Sequence, residues 1–292
     1  MFGAWARTLR AGQVPVNVSG TAVPAYDPPM SDGPRLHGAL FEVDGDRAVP
    51  SELTRGPWDP GAMHGGPPAA LLARAAEQFD PGPADFLARL TVELLRPVPL
   101  EPLTVSARTL RPGKMVHWVE VILRAGDVEV ARAVGLRLRT VADSIVAEPP
   151  LNEYPPHTSG TNIDLDPNLL RGIGFWNANE IRMVTGTFGG AGPGGAWIRL
   201  TVPVVAGEDP TPAQRVLAAA DFASGVGNPI DMTVGSAINA DLTVALHRPL
   251  YGEWVGLDAR AWASAQGTGM AEAVIHDVDG PIGRSVQSLL VR

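Results

Sequence analysis

Asp221 is the first residue whose type and position suggest chemistry. It interrupts an apolar stretch, Ala218-Ala219-Ala220-Asp221-Phe222. A helix is predicted to begin at Thr211-Pro212-Ala213-Gln214, because these residues suit the N-cap, N1 and N3 positions of a capping box. Asp221 would then lie about three turns into a helix that is expected to be buried. Burial of an unpaired carboxylate is costly or forces its protonation. Asp221 is therefore either exposed on the outer face of the helix or retained for a function.

Two amide side chains fall in runs that are predicted to be strands. Gln287 lies in the last run of the chain, and an amide in a half-buried strand must find hydrogen-bond partners. Asn239 lies on the first long strand of the second half. Each also has a simpler interpretation: Gln287 at a rim or interface, and Asn239 at a strand entry or turn.

The sequence contains an internal duplication with an offset of 152 residues. The offset places Gln287 on Gly135 and Asn239 on Leu87, so these two polar side chains occur in the second copy alone. This predicts one active site per chain, held by the second half. The identities that define the offset are Leu90-Thr91-Val92 on Leu242-Thr243-Val244, Arg96-Pro97 on Arg248-Pro249, Arg108 on Arg260 and Glu120 on Glu272.

Each copy has the same predicted order of elements, which is short strands, one helix of small residues and four β-rich runs. A helix of small residues followed by four antiparallel strands predicts an α+β fold in which a sheet wraps closely around the helix. The predicted organisation is a loose N-terminal arm at 1–37 (Met30 is an alternative start), a first domain at 38–140, a linker at 141–172 and a second domain at 173–292. The predicted helices are Ala69–Phe79 and one from Thr211, and the predicted strands lie near 39–43, 47–49, 87–96, 102–111, 116–125, 128–139, 173–187, 195–204, 236–248, 253–264, 269–277 and 282–291.

This repeated unit resembles the hotdog fold, and residues 38–292 resemble the double-hotdog acyl-CoA thioesterases of the type II family. The resemblance implies a tandem hotdog that hydrolyses an acyl-CoA to the free acid and coenzyme A, with no metal or organic cofactor. It also implies a possible homodimer of double-hotdog chains. The segments that carry the resemblance are His64-Gly65-Gly66, Leu94-Leu95-Arg96-Pro97, Asp221-Phe222, His247-Arg248-Pro249 and Val286-Gln287.

The resemblance also implies roles for the polar residues. Members of this family hold the attacking water with an Asp of the second helix, a hydroxyl or amide residue before the His-Arg-Pro segment, and a Gln of the last strand. These roles fall on Asp221, Asn239 and Gln287, with Asp221 as the general base or as the residue that orients the water. Asn239 stands where better-known members carry Thr, so it could hold a water but not relay a proton.

Substrate contacts are predicted as well. Backbone amides at the start of the first helix could polarise the thioester carbonyl, which makes His64, Gly65 and Gly66 candidates. The two glycines could equally serve tight helix packing. Four basic residues could meet the phosphates of coenzyme A or simply form a solvated face, and the repetition of Arg108 favours a structural role. These four are Arg96, Arg108, Arg111 and Lys114.

Two other functions remain open at this point. Asp59 and His64 have a spacing like that of the acid and base in hotdog enoyl-CoA hydratases, although here His64 itself opens the helix. A non-catalytic protein that binds an acyl ligand is the third interpretation, because Asn239 replaces a hydroxyl. A serine hydrolase is not supported, since Gly-x-Ser-x-Gly is absent, and the six histidines show no metal-ligand spacing with carboxylates.

Composition excludes several classes of protein. The chain has 292 residues, of which 45% are hydrophobic, so a disordered protein is excluded. Its net charge of −8 argues against a nucleic-acid partner, and the absence of cysteine excludes disulfides and a thiolate nucleophile. No apolar run is long enough to predict a membrane span, and no secretory signal is evident, so a cytoplasmic location is expected.

Overall fold

One antiparallel sheet of the computed structural model wraps around two helices that lie side by side. The structure describes residues 38–141, 153–163 and 172–292. The predicted arm at 1–37, with Met30, lies outside the described residues, as do residues 142–152 and 164–171 of the predicted linker.

The first half contains one helix and six strands. The helix α1 spans Gly66–Gln78, and its buried face consists mainly of alanine and leucine. The strands are β1 (Phe41–Asp44), β2 (Arg47–Pro50), β3 (Phe86–Leu94), β4 (Leu103–Arg111), β5 (Val116–Ala125) and β6 (Val128–Leu138).

The second half repeats this order. Its helix α2 spans Pro212–Ala220 and is followed by the one-turn helix α3, Ala223–Val226. The strands are β7 (Thr161–Asn162), β8 (Asn179–Thr185), β9 (Gly194–Leu200), β10 (Ala237–Asn239), β11 (Asp241–Leu246), β12 (Trp254–Ala263), β13 (Thr268–Asp277) and β14 (Gly280–Val291).

The duplication is visible in the sheet as a pseudo-two-fold axis. The strand order is β1-β2-β4-β5-β6-β3-β11-β14-β13-β12-β9-β8-β7, with β10 paired to β14, so the halves join where β3 meets β11. There Thr91 lies directly opposite Thr243, the residue that the duplication equates with it, and their hydroxyl oxygens are 3.3 Å apart. This arrangement is the predicted tandem hotdog, with each half a sheet around one helix.

A cross-strand ion pair also repeats between the halves. Arg108 of β4 pairs with Glu120 of β5, and Arg260 of β12 pairs with Glu272 of β13 at 2.8 Å. Both pairs join neighbouring strands at equivalent positions. The structural role that the repetition favoured for Arg108 is thus supported.

Small side chains allow the two helices to approach each other closely. A Cβ atom on Gly66 would come within 2.6 Å of the Ala218 carbonyl oxygen, so α1 could not lie where it does with a larger residue there.

The longest of these helices, α1, has 13 residues. In the described part of the chain, no helix is long and apolar enough to cross a membrane.

Three predicted elements differ from the structure. The helix predicted at Ala69–Phe79 begins earlier, at Gly66, because Pro67 and Pro68 fit its first turn. The strand predicted near 173–187 begins with a 3₁₀ turn at Phe175–Ala178, whose start is closed by a hydrogen bond from the Gly174 N–H to the Asn177 side chain. The strand predicted near 236–248 is broken at Ala240.

The described part of the predicted linker is not loose. Residues 153–163 lie along the second half, where Thr161–Asn162 forms β7 and pairs with β8. The hydroxyl of Tyr154 donates to the Leu257 carbonyl at 2.8 Å, and the Trp197 indole N–H donates to the Pro155 carbonyl at 2.7 Å. These bonds hold the segment against the sheet.

The C-terminal end of α1 is closed by a buried arginine of β6. The Arg137 guanidinium donates to the carbonyl oxygens of Glu77, Phe79 and Asp80 at 2.7 to 3.0 Å. Asp80 has a φ of 46°, in the left-handed region, so its carbonyl is aimed at the guanidinium by an unusual backbone conformation. Arg137 thus fixes the helix whose other end reaches the site described below.

We expect the Arg137→Leu variant to be destabilised by about 2–4 kcal/mol, because three carbonyls at the end of α1 would lose the donor that Arg137 gives them. Leucine is the residue that the duplication equates with this position, at Leu289. Chemical denaturation would measure the change, with the exposed Arg111→Leu as the control. Equal stability of the two variants would contradict the role of Arg137 at the helix end.

Candidate active site

Asp221 is buried at the junction between α2 and α3. It is the C-cap of α2, with helical φ and ψ of −68° and −18°, and the residue is 4% exposed. The helix ends one residue before it, so Asp221 does not lie inside α2 as predicted. The interpretation of Asp221 as an exposed polar residue is wrong.

Three side chains converge on the Asp221 carboxylate. Its Oδ2 lies 2.7 Å from Nδ1 of His64, which belongs to the segment before α1. Its Oδ1 accepts a hydrogen bond from Nδ2 of Asn239 at 2.7 Å and one from Nε2 of Gln287 at 3.2 Å. The three residues named for this role in the sequence are therefore brought together, and His64 joins them.

Gln287 is fully buried in β14, so the interpretation of it as a rim residue is wrong. Its Nε2 also lies 3.4 Å from the backbone carbonyl of Asp221. Its Oε1 is buried and has no hydrogen-bond partner among the described residues. Gln287 therefore places a free acceptor next to the Asp221 carboxylate.

Asn239 reaches Asp221 because of a bulge in the strand that carries it. Asn239 of β10 pairs with Leu289 of β14, and Thr243 of β11 pairs with Val286 of β14. Three residues lie between Asn239 and Thr243, but only two lie between Val286 and Leu289. The extra residue lies at Ala240. Since side chains alternate along a strand, one extra residue turns Asn239 to the face that β11 directs at the helices.

The first half has a register shift at the equivalent place but no polar residues to match. The shift lies between Leu87 and Arg89, and the buried Leu87 is the counterpart of Asn239. Gly135 is the counterpart of Gln287, and a Cβ there would lie 3.3 Å from the Cβ of Ala76. The amide side chains of Asn239 and Gln287 therefore have no polar counterparts among the described residues of the first half.

His64 comes from the first half and packs against two phenylalanines, Phe175 and Phe222, which stack on each other at 5.3 Å. Its ring centroid lies 5.0 Å from that of Phe175 and 4.6 Å from that of Phe222. A Cβ on the next residue, Gly65, would lie 2.7 Å from both oxygens of Asp221, so only glycine lets this segment approach the carboxylate. The site therefore lies between the two halves and is not held by the second half alone.

The short contact between His64 and Asp221 decides which ring nitrogen carries the proton. A carboxylate can only accept, so at 2.7 Å the proton lies on Nδ1. The Gly66 N–H lies 3.2 Å from the same Nδ1 and cannot donate to a nitrogen that is already protonated. With the proton on Nδ1, the free lone pair of the neutral ring lies on Nε2, which has no hydrogen-bond partner among the described residues.

Asp221, His64 and Asn239 line an apolar cavity of about 500 Å³. This volume is in the range of small-molecule sites, and a mainly apolar wall with a few convergent polar groups is typical of them. Its larger apolar side chains include Trp58, Met63, Leu94, Trp176, Phe188 and Phe222. The arrangement can bind an apolar chain and present a base to its polar end.

Other residues proposed from the sequence lie elsewhere or have other partners. Asp59 lines the cavity, but its Oδ1 accepts the Gly61 N–H at 2.8 Å, and His64 bonds to Asp221 instead. Gly66 is buried and does not line the cavity, which supports its packing role. Arg111 and Lys114 are exposed and do not line the cavity either.

The contact between His64 and Asp221 was missed by sequence reasoning. The sequence indicates His64 as a candidate for substrate or oxyanion contacts, or for proton transfer with Asp59, but not as a partner of Asp221. The one available signal was its neighbour glycine, which lets the backbone approach another group closely.

Comparison with models of protein families identifies the family of each half of the chain. Residues 54–138 match the acyl-CoA thioesterase N-terminal domain, and residues 148–291 match the acyl-CoA thioesterase C-terminal domain. The chain belongs to the acyl-CoA thioesterase family. It is thus a thioester hydrolase, and both halves of the duplication are thioesterase domains.

Solved structures share the fold at low sequence identity. A hot dog fold protein of unknown function from Alicyclobacillus acidocaldarius is 14% identical, with a TM-score of 0.67 over 86% of this chain and 95% of its own. The tesB protein of Mycobacterium avium subspecies paratuberculosis is 18% identical, with a TM-score of 0.62 over 86% and 96%. An acyl-CoA thioesterase II from Mycobacterium marinum is 15% identical, with a TM-score of 0.60 over 86% and 93%. No curated protein matches the sequence.

Proposed function

We propose that this thioesterase hydrolyses a fatty acyl-CoA to the free acid and coenzyme A by direct attack of water. His64 is the general base, and Asp221 orients it. The observation that carries the proposal is the buried Asp221 carboxylate, bonded to His64 on one oxygen and to two amides on the other, beside an apolar cavity.

The distribution of hydrogen bonds favours His64 over Asp221 as the base. Both Asp221 oxygens already have donors, whereas Nε2 of His64 has a free lone pair and its ring lines the cavity. Asn239 and Gln287 direct their N–H groups at Asp221 and not at a position beside it. They therefore act by fixing the carboxylate, which in turn fixes the ring. This differs from the sequence-based expectation that they hold the water directly.

The reaction proceeds in two steps. A water oxygen attacks the thioester carbonyl carbon while its proton moves to Nε2 of His64, and the Asp221 carboxylate stabilises the imidazolium that forms. The tetrahedral intermediate then collapses, the carbon–sulfur bond breaks, and the Nε2 proton is transferred to the leaving sulfur. The products are the carboxylic acid and the free thiol, and His64 is neutral again.

Gly65 is the proposed donor to the carbonyl oxygen. Pro67 and Pro68 have no N–H, and the His64 N–H already donates to the Thr54 carbonyl at 2.9 Å. Gly65 lines the cavity at the N-terminal end of α1, where the helix dipole favours developing negative charge. Its N–H therefore fits the role better than that of the buried Gly66.

The cavity favours an apolar acyl chain. Each methylene that enters it should improve binding by about 0.8 kcal/mol, or roughly fourfold in kcat/KM, until the space is filled. We expect thiol release from a series of saturated acyl-CoAs to rise steeply from acetyl-CoA to a medium chain and then to level off. Equal rates for all chain lengths would contradict the assignment of this cavity to the acyl group.

The same series, extended to 2-enoyl-CoAs, distinguishes the alternatives. Thiol release that accounts in full for any loss of enoyl absorbance supports hydrolysis. Loss of enoyl absorbance without thiol would indicate a hydratase, and neither signal would favour a binding protein. The cytoplasmic location and the homodimer stay predictions.

A further inference from the structure

The duplication places an arginine at equivalent points of the two halves, and one of them is locked in an ion pair. The 152-residue offset equates Arg96 with Arg248. Nη2 of Arg248 lies 2.7 Å from Oδ1 of Asp277, and Nη1 contacts the other oxygen, so the pair is bidentate. Asp277 is fully buried and also accepts the N–H groups of Tyr251 and Asp279, both at 2.9 Å. Arg248 therefore has a structural role.

Arg96 lacks this carboxylate. The residue that the offset equates with Asp277 is Ala125, at the end of β5. Among the described residues, the Arg96 guanidinium has no ion-pair or hydrogen-bond partner, and the side chain is exposed. Arg96 also lines the cavity beside Asp221. Of the two equivalent arginines, Arg248 is thus held in an ion pair, whereas Arg96 has no such partner and lies at the active site.

The charges around the cavity give this difference a functional meaning. Arg96 is the one arginine or lysine among the described residues that line the cavity, whose acidic members are Asp59 and Asp221. The chain as a whole carries a net charge of −8, which repels an anionic substrate. A guanidinium binds phosphate through paired N–H groups, so an unpaired arginine at this place suits a phosphate-bearing thioester.

We propose that Arg96 binds a phosphate group of the coenzyme A portion while the acyl chain occupies the cavity. The inference rests on the proposed function, because it concerns the substrate of the same site. It assigns to Arg96 a part in substrate binding that Arg248 cannot take in the other half.

The test compares wild type and Arg96→Gln with one acyl group on three carriers: coenzyme A, 4′-phosphopantetheine and pantetheine. We expect KM for the acyl-CoA to rise about tenfold with kcat unchanged, because the contact exists equally in the ground state and transition state. KM for the acyl-pantetheine, which has no phosphate, should not change. A higher KM for the phosphopantetheine thioester would show that Arg96 binds the phosphate at the end of the pantetheine arm. An unchanged KM for that thioester, with a higher KM for the acyl-CoA, would show that Arg96 binds a phosphate of the nucleotide.

Two further variants make the test specific. Ala125→Asp introduces the carboxylate that Asp277 provides in the second half. We expect it to form an ion pair with Arg96 and so to raise KM for the acyl-CoA. Arg284→Gln removes an exposed arginine that does not line the cavity, and its KM should equal that of wild type.

The two proposals fail in different ways. Unchanged KM for the acyl-CoA in both Arg96→Gln and Ala125→Asp would overturn the role of Arg96. An equal rise with acyl-pantetheine would also overturn it, since the effect would not depend on phosphate. Absence of thiol release by wild type from all three thioesters would instead overturn the proposed function.

Discussion

Replacement of Asp221 by asparagine is expected to lower kcat/KM for an acyl-CoA by about 10³–10⁴-fold. In the proposed mechanism the carboxylate accepts the proton of Nδ1 and so keeps the lone pair of His64, which lines the cavity, on Nε2. An asparagine amide can donate to Nδ1 and stabilise the other tautomer, whose Nε2 carries a proton and cannot act as a base. The imidazolium would also lose its counter-charge. Thiol release under steady-state conditions measures the loss.

The fold should survive this substitution. Asparagine has nearly the shape of aspartate, and the change removes a buried charge, so we expect the melting temperature to stay the same or to rise. Asp127→Asn is a matched control, because it makes the same change in an exposed hairpin turn that tolerates asparagine. Comparable turnover in Asp221→Asn and Asp127→Asn would rule out a catalytic role for Asp221.

The second large effect is expected at His64. Loss of a general base costs about 10²–10⁴-fold in rate, so His64→Ala should be nearly inactive. His64→Asn is the sharper variant, because its amide nitrogen can replace Nδ1 as the donor to Asp221 while nothing replaces Nε2. If His64 only held Asp221 in place, His64→Asn would keep most of the activity. As the base, His64 cannot be replaced by either residue.

Chemical rescue separates a lost base from a lost contact. The His64→Ala variant leaves space beside Phe175 and Phe222, next to the cavity. Added imidazole should restore part of the rate in His64→Ala and none in Asp221→Asn. His247→Ala, which changes an exposed histidine, serves as the control and should behave as wild type. Full activity of His64→Ala without imidazole would return the role of base to Asp221.

Local signals in the sequence predicted most elements correctly. The side chain of Thr211 caps α2 by accepting the Gln214 N–H at 3.2 Å, as the capping box predicts. Gly126 has a φ of 55° in the turn between β5 and β6, as expected of a hairpin glycine. Such signals depend on a few neighbouring residues, so one sequence contains them completely.

The duplication carried information about tertiary structure as well. Identical spacing in both copies predicted two similar units, and the pairing of Thr91 with Thr243 places the junction between them at equivalent residues. The same offset showed that Asn239 and Gln287 have apolar or absent counterparts. From that comparison it follows that these two amides occur once among the described residues.

The sequence by itself thus determined the repeated α+β architecture, the family, and the membership of Asp221, Asn239 and Gln287 in one cluster. Only the tertiary structure decided that His64 completes it, because that contact crosses between the halves and depends on how closely Gly65 and Gly66 let α1 approach α2. The bulge at Ala240, which turns Asn239 inward, likewise has no local pattern that predicts it, since its register is set by pairing with a distant strand.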